Sequence, residues 1–368
     1  NDIKDLTSFM SECKRMSIPV LGPDVNESFY KFAVNNNGEI RFGLGAVKGV
    51  GAGAVEAIVN ERKNHGVYTS FEDFMKRVDL RSANKRTLDS IVYAGGFDSF
   101  KLKRYQYFAK EQNGLTFLEN MIKFGNKVKD SLNSNQFDMF GGTAEASIQA
   151  PVPSETVPWT AMEMLSKEKE VVGIYISGHP LDDYTLEIDN LCNGNLSMMH
   201  DMEKIKGKEL RIAAVVTEVE HKETKTGKPF CILHLEDYHS SYNLYLFSDD
   251  YINLKAYLTV GWLLFLSGKV RKKFYNDDLE FKVSSVDLLS EVIDKDVRDV
   301  VLRIDVNDIS KDFVEDMVSI MNKYSGKHSV LLSLVDPING YEVEVLSRKA
   351  KINLSKDFVN HINSLNKV

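Results

Sequence analysis

The spacing of apolar residues changes period along this chain, and the change limits what each stretch can become. Val55, Ile58 and Val59, then Phe71, Phe74, Met75 and Val78, then Leu88, Ile91 and Val92 recur at intervals of three and four, the signature of helices with one buried face. From Glu209 the apolar residues alternate instead. Leu210–Val219, Phe230–Leu235, Tyr242–Phe247, Trp262–Val270 and Leu279–Val286 read as five strands, with a turn at Lys225–Pro229 and a short helix at Tyr251–Leu258. Further on, strands at Asp299–Ile304, Ser329–Val335 and Tyr341–Leu346 enclose a helix at Asp312–Tyr324 and a turn at Asn339-Gly340, and a last helix follows at Ser355–Leu365. One pattern cannot serve both element types, so the 368 residues are expected to form several modules.

Charge is divided just as unevenly. The total of −7 argues against a polyanionic partner, yet Arg41 to Lys110 holds 13 basic and 7 acidic residues, whereas Glu111 to Glu203 holds 5 and 15. A basic segment is therefore masked by an acidic one. Cys13, Cys192 and Cys231 are too few and too scattered for a disulfide framework or a zinc site, which fits a reducing cytoplasm. Apolar runs such as Trp262–Leu266 are far too short to span a bilayer, so no membrane partner is expected. The first residue, Asn1, is neither a start methionine nor part of a signal sequence, and the chain reads as cut from something longer.

Within the basic segment, residues 43–62 divide into two short helices around a glycine turn. Gly49, Gly51 and Gly53 leave backbone N–H groups uncovered at the start of the second helix, and Lys48 adds a cation beside them. The pattern resembles a helix-hairpin-helix motif, which grips the DNA backbone without reading bases, with Lys48, Gly49, Val50, Gly51, Gly53 and Arg62 as its contacts. Two other readings stand beside it. The turn could simply pack two helices, or Gly49-x-Gly51-x-x-Ala54 with the later Asp73 could mark a dinucleotide site, although no apolar strand enters the first glycine and no βαβ repeat follows.

Between Asn113 and Pro158 the composition turns to Ser, Asn, Gly, Pro and Glu, as in a flexible tether. Gln136-Phe137-Asp138-Met139-Phe140 interrupts it with apolar side chains that lack a regular neighbour, which suggests peptide recognition. In the alternating segment, five strands with a helix between the third and fourth fit an OB barrel. Such barrels bind single strands by stacking bases on aromatic rings in a cationic groove. Phe230, Tyr245, Phe274 and Tyr275 are the rings, and Lys225, Lys228, Lys269, Arg271, Lys272 and Lys273 the cations. Against this, alternation sends half of the aromatics into the core, and the barrel could be a spacer or docking platform.

Several blocks carry a family resemblance. Ile18-Pro19-Val20-Leu21-Gly22-Pro23-Asp24-Val25-Asn26, the glycine hairpin, the stretch from Asn84-Lys85-Arg86-Thr87 to Gly95-Gly96-Phe97-Asp98, and the block from Glu168 through Ser177-Gly178-His179-Pro180-Leu181 to Tyr184 resemble, in order, the C-terminal third of bacterial DNA polymerase III alpha subunits. The resemblance implies a multidomain α+β chain. Residues 1–110 would hold the end of the fingers and the helix-hairpin-helix module, 111–158 a helical extension and linker, 159–203 a helical connector, 204–290 the OB domain, and 291–368 a small α+β domain. It also implies that Gln136, Asp138, Met139 and Phe140 bind the sliding clamp (beta), that Lys228, Phe230, Tyr245, Lys269, Arg271 and Lys273 meet single-stranded DNA, and that the last domain docks on the clamp-loader tau subunit. The family's palm carboxylates, which hold Mg²⁺ for nucleotidyl transfer, would lie upstream of Asn1. The chain alone is thus expected to be catalytically inactive, with no cofactor or metal of its own. Asp182-Asp183, Asp249-Asp250 and Asp277-Asp278 are adjacent pairs and poor two-metal candidates, and His179 reads as structural. A stand-alone nucleic-acid-binding accessory protein remains the alternative.

Overall fold

The computed structural model describes residues 6, 9, 10, 12, 13, 15–133, 149–273 and 277–365. It divides into two compact units, Asn1–His179 and Pro180–Val368.

The first unit is helical apart from a small sheet of β1 (Val20–Leu21), β2 (Ala33–Val34) and β3 (Ile40–Arg41). Its helices are α1 (Ala52–His65), α2 (Phe71–Arg77), α3 (Lys85–Tyr93), α4 (Phe117–Asn133) and α5 (Ala161–Val172). Side chains start most of them. Ser70 accepts the N–H of Asp73, Asn84 accepts that of Thr87, and Thr160 with Glu163 forms a capping box. The periodic residues then meet in one core: Ile58, Phe71, Phe74, Met75, Leu88, Ile91 and Phe97 are buried together with Tyr107, Phe117 and Leu118. Each such side chain contributes about 1.5–3 kcal/mol by leaving water. Aromatic rings organise the centre, with Phe71 edge-on to Phe97 at 5.0 Å and to Tyr107 at 4.8 Å.

The connector expected over residues 159–203 is not one element. Val171, Val172 and Ile174 belong to the helical core, whereas Leu181 and Leu196 pack in the second unit. The reason is a buried ionic bracket. Arg104 Nη1 donates to Glu168 at 2.7 Å, and Glu168 also accepts the N–H groups of Ile176 and Ser177 at 2.6 and 2.8 Å. Gly95, at φ +82°, leaves room for the Arg104 guanidinium where a Cβ would stand.

In the second unit α6 (Thr185–Leu191) precedes a five-stranded sheet: β4 (Glu209–Glu223), β5 (Pro229–Glu236), β6 (Ser241–Phe247), β7 (Leu263–Lys272) and β8 (Leu279–Leu288), in the order β6-β5-β4-β7-β8. Helix α7 (Ser248–Leu254) lies between the third and fourth of these strands; it begins three residues before the expected Tyr251–Leu258, whose second half is a 3-10 turn at Lys255–Tyr257. The sheet curls round Leu210, Ile212, Cys231, Leu233, Leu246, Leu266 and Phe281, and a register shift at Gly268 marks a bend where the Phe281 ring approaches the backbone. After α8 (Leu289–Asp296) comes an α+β domain. Strands β9 (Asp299–Asp305), β10 (Ser325–Asp336) and β11 (Tyr341–Ile352) pair in the order β11-β10-β9, and α9 (Lys311–Lys323) and α10 (Lys356–Asn363) cover one face.

Candidate nucleic-acid interface

The glycine hairpin opens a groove. Leu44–Ala46 is a single 3-10 turn where a helix was expected, because Gly43 and Gly45 pack directly against the backbone of Tyr30 and Lys31. Gly49 then turns the chain at φ +88°, and Gly51 stands in extended conformation as the N-cap of α1. No side chain caps this helix, so its first N–H groups keep their partial positive charge free for an acceptor from outside. Where Cβ atoms of Gly51 and Gly53 would be there is open space.

The opposite wall comes from a second hairpin, α2–α3, whose periodic residues read from sequence only as core. Gly49, Val50, Gly51, Gly53 and Ala54 face Ser82, Asn84, Arg86 and Thr87 across the groove. The Thr87 hydroxyl donates to the Gly49 carbonyl at 3.1 Å, which fastens the two hairpins together. Lys48, Arg81 and Arg86 are exposed around the opening.

Two expected contacts are corrected by burial. Arg62 lies inside the unit, where its Nη1 donates to the Val25 carbonyl at 2.6 Å and its guanidinium covers the Phe29 ring. It holds the N-terminal loop in place and cannot reach a ligand. Burial holds its pKa down, without removing the charge. Val50 turns its side chain into the core and spends its N–H on the Val47 carbonyl. Arg77 is likewise committed, to Glu61 and Asp73.

A second surface lies on the barrel. Phe230 stands opposite Phe247 and Ile232 opposite Tyr245, so these side chains share one face of the sheet. Phe230 stacks on Phe247 with centroids 5.1 Å apart and planes 20° apart, and Tyr245 continues the row at 6.4 Å and 11°. Tyr245 and Phe247 are exposed, which leaves two near-parallel ring faces available to bases. Lys222 joins them, opposite Phe230 on β4, and is ion-paired with Glu220 at 2.6 Å.

Phe247 and Lys222 escape the sequence reading, although Leu244 and Leu246 in the core already place residues 245 and 247 outside. The expected cations are less concentrated than the sequence suggests. Lys269 pairs with Glu209, Arg271 with Glu280 and Lys273 with Asp278. Arg271 lines a cleft between the edge strands β6 and β8, and Lys228 is exposed in the β4–β5 turn. Phe274 and Tyr275 fall outside the described residues.

Gln136, Asp138, Met139 and Phe140 also fall outside the described residues, but the chain on either side of them is placed. The described ends of segment 113–158 both lie in the first unit: α4 belongs to the helical core, Ala150 packs against that core, and Ser154 donates through its N–H and hydroxyl to Glu111 at 3.1 and 2.8 Å. Trp159 completes the return by stacking on Phe108 at 5.6 Å, with Lys167 Nζ 5.0 Å above its ring.

A hairpin groove with an uncapped helix end, joined in one chain to an OB barrel with an exposed aromatic row, defines a multi-module nucleic-acid-binding protein. The helix-hairpin-helix motif family matches residues 17–107, the OB-fold nucleic acid binding domain 210–289, and the C-terminal domain of the DNA polymerase III alpha subunit 300–368. Among curated proteins, the DNA polymerase III subunit alpha of Escherichia coli K12 is 30% identical over 81% of this chain and 25% of its own length. That of Vibrio cholerae is 27% identical over 88% and 27%, and that of Borreliella burgdorferi 28% identical over 100% and 31%. Among solved structures, the mitochondrial single-stranded DNA binding protein Rim1 of S. cerevisiae is similar at 17% identity over 23% of this chain and 97% of that one, with a TM-score of 0.19.

The chain belongs to the DNA polymerase III alpha subunit family and matches its C-terminal region. It spans about a quarter to a third of the length of the curated relatives it matches.

Proposed function

We propose that this chain is the DNA-holding and partner-docking region of a replicative DNA polymerase alpha subunit, working in the cytoplasm in processive chromosome replication. The observation that carries the reading is the double-hairpin groove. Two hairpins face one another, the α1 end is uncapped, and Lys48 and Arg86 flank the opening. Phosphates of duplex DNA suit this site, because it offers uncapped backbone N–H groups and exposed cations to anionic oxygens. The aromatic row Phe230–Phe247–Tyr245 supports a second contact, with single-stranded template.

The peptide Gln136–Phe140 binds the sliding clamp and the α+β domain binds the clamp-loader tau subunit. Both contacts raise the effective concentration of the polymerase at the primer end, so processivity comes from geometry. No catalytic residue, metal or cofactor is assigned to this chain, and nucleotidyl transfer belongs to palm carboxylates supplied elsewhere.

Clamp pull-down is the experiment that separates this reading from a stand-alone DNA-binding accessory protein. The chain should retain the clamp, and Gln136→Ala with Phe140→Ala should abolish retention while sparing DNA binding. Failure of the unmodified chain to bind the clamp would remove the replication reading.

A further inference from the structure

The outer face of the barrel changes sign along its strands. Across β4, β5 and β6 the ladder partners fall into three rows on that face: Lys222, Phe230 and Phe247; Glu220, Ile232 and Tyr245; Glu218, His234 and Asn243. Successive rows stand about 7 Å apart. At the hairpin end, Lys225 and Lys228 lie beyond Lys222 in the turn, both exposed and without an ion pair among the described residues.

At the other end the charges are acidic. Glu220 is engaged, by Lys222 at 2.6 Å and by His234 Nε2 at 2.7 Å. Glu218 is not: it is exposed, and among the described residues its carboxylate has no hydrogen-bond or ion-pair partner. The side chain of Asn243 is equally exposed and unengaged, and Glu236 follows His234 on the same side of β5. A free carboxylate on a face that stacks bases is unfavourable wherever a phosphate approaches it. Under base edges it is well placed, because adenine, cytosine and guanine carry amino donors for it to accept, whereas a phosphate is anionic and offers acceptors alone.

We infer that the acidic row makes the barrel face selective for single strands over duplex, with Glu218 as the specificity-determining residue. This rests on the reading of the Phe230–Phe247–Tyr245 row as a single-strand contact and adds how the strand lies. Its backbone follows the lysines at the hairpin end, its bases stack on Phe247 and Tyr245, and their edges turn toward Glu218 and Asn243. A single strand can keep its phosphates to one side in this way. A duplex cannot, because its bases stack on one another and phosphates form its outer surface, so lying across the three rows brings some of them against Glu218. The row acts by rejecting the competitor and adds little affinity for the ligand.

The test uses the full chain and reads the barrel directly, so that duplex held at the hairpin groove does not mask the result. Oligonucleotides carrying photoreactive 5-iododeoxyuridine, single-stranded or annealed, are cross-linked, and the peptide containing Tyr245 and Phe247 is quantified. The unmodified chain should give this cross-link with the single strand and little of it with the duplex. Glu218→Gln should raise the duplex yield by about threefold and Glu218→Lys by about tenfold, each with a smaller change for the single strand. Glu291→Lys, an exposed position on α8, controls for net charge and should leave the ratio of the two yields unchanged. A ratio unmoved by Glu218→Lys, or moved as far by Glu291→Lys, would overturn the acidic row while leaving the stacking face in place. No cross-link between the single strand and the unmodified chain would remove the single-strand reading itself.

Discussion

The backbone N–H of Lys48 donates to the carbonyl of Val171 at 2.7 Å, so the turn that opens the groove proposed for DNA is fastened to helix α5. The helix is in turn held by Glu168, fully buried against Arg104 and the N–H groups of Ile176 and Ser177. Ser177 and the Glu168 carboxylate are also hydrogen-bonded to each other. The Ser-Gly-His-Pro region therefore does structural work for the hairpin, from the far end of the helical unit's sequence.

Glu168→Ala would leave a buried guanidinium with Asp98 as its remaining carboxylate partner. Removing one member of a buried pair costs about 3–5 kcal/mol when the other charge is left uncompensated, and with Asp98 retained the loss is about 2–3 kcal/mol. Urea unfolding of the helical unit should show a loss in that range, and a change below about 1 kcal/mol would mean that the bracket is not what holds α5.

Helices α1, α2 and α3 and the five barrel strands were legible from apolar spacing, although Ile212–Val216 of β4 are buried in a row, whereas the β1–β3 sheet and the 3-10 turn at Leu44–Ala46 carry no such period. The site was legible only in part. Gly49 and Gly51 announce a turn by residue type alone, but burial of Arg62 depends on the loop carrying Val25, which is distant in sequence. The stack of Phe230 on Phe247 depends on hairpin register, and periodicity shows which face a side chain takes but not which residue it meets. Glu168 gave no local signal, since its partner Arg104 reaches it only in the folded core. The same is true of the return of residues 149–158 to the first unit, at the end of the stretch 113–158 whose composition reads as a tether.

Gly51→Asp separates stability from binding at the groove. A carboxylate at this N-cap satisfies free N–H groups and complements the helix dipole, which should raise stability by about 0.3–1 kcal/mol. The same carboxylate occupies the place proposed for a DNA phosphate and repels it. Thermal unfolding and duplex titration should therefore move in opposite directions, and unchanged duplex affinity would remove the N-terminus of α1 from the interface.

Lys48→Glu and Arg86→Ala should each weaken duplex binding on all sequences alike and lower the salt slope by about one for each phosphate no longer neutralised. Arg62→Lys serves as a contrast. Its long stem and charge persist while its bond to the Val25 carbonyl weakens, so it should alter unfolding more than the salt slope. A drop in salt slope for this variant equal to that of Arg86→Ala would reinstate Arg62 as a DNA-binding residue.

Tyr245→Ala and Phe247→Ala should reduce affinity for single-stranded oligonucleotides by about 1–3 kcal/mol per base no longer stacked, with little effect on duplex binding. Both rings are exposed, so neither change creates a core cavity. Equal binding by the double variant would assign the barrel to spacing or protein docking.

A cut between Asn133 and Gln149 distinguishes a tether from a loop that begins and ends on one body. If the segment joined two independent modules, a protease site inserted there would release two particles after cleavage. Val171, Val172 and Ile174 are instead buried in the same core as Ile58, Phe74 and Leu88, and Arg104 with Glu168 bridges the pieces that the cut would create. The cleaved chain should therefore elute from a sizing column as one particle and part only in denaturant. Glu168→Ala in the same background should shift elution toward separated pieces, because it removes the buried bracket and leaves apolar packing with exposed or isolated hydrogen bonds such as those of Lys48 to Val171 and Ser154 to Glu111. Two particles from the unmodified bracket would restore the tether and detach α5 from the hairpin it is proposed to position.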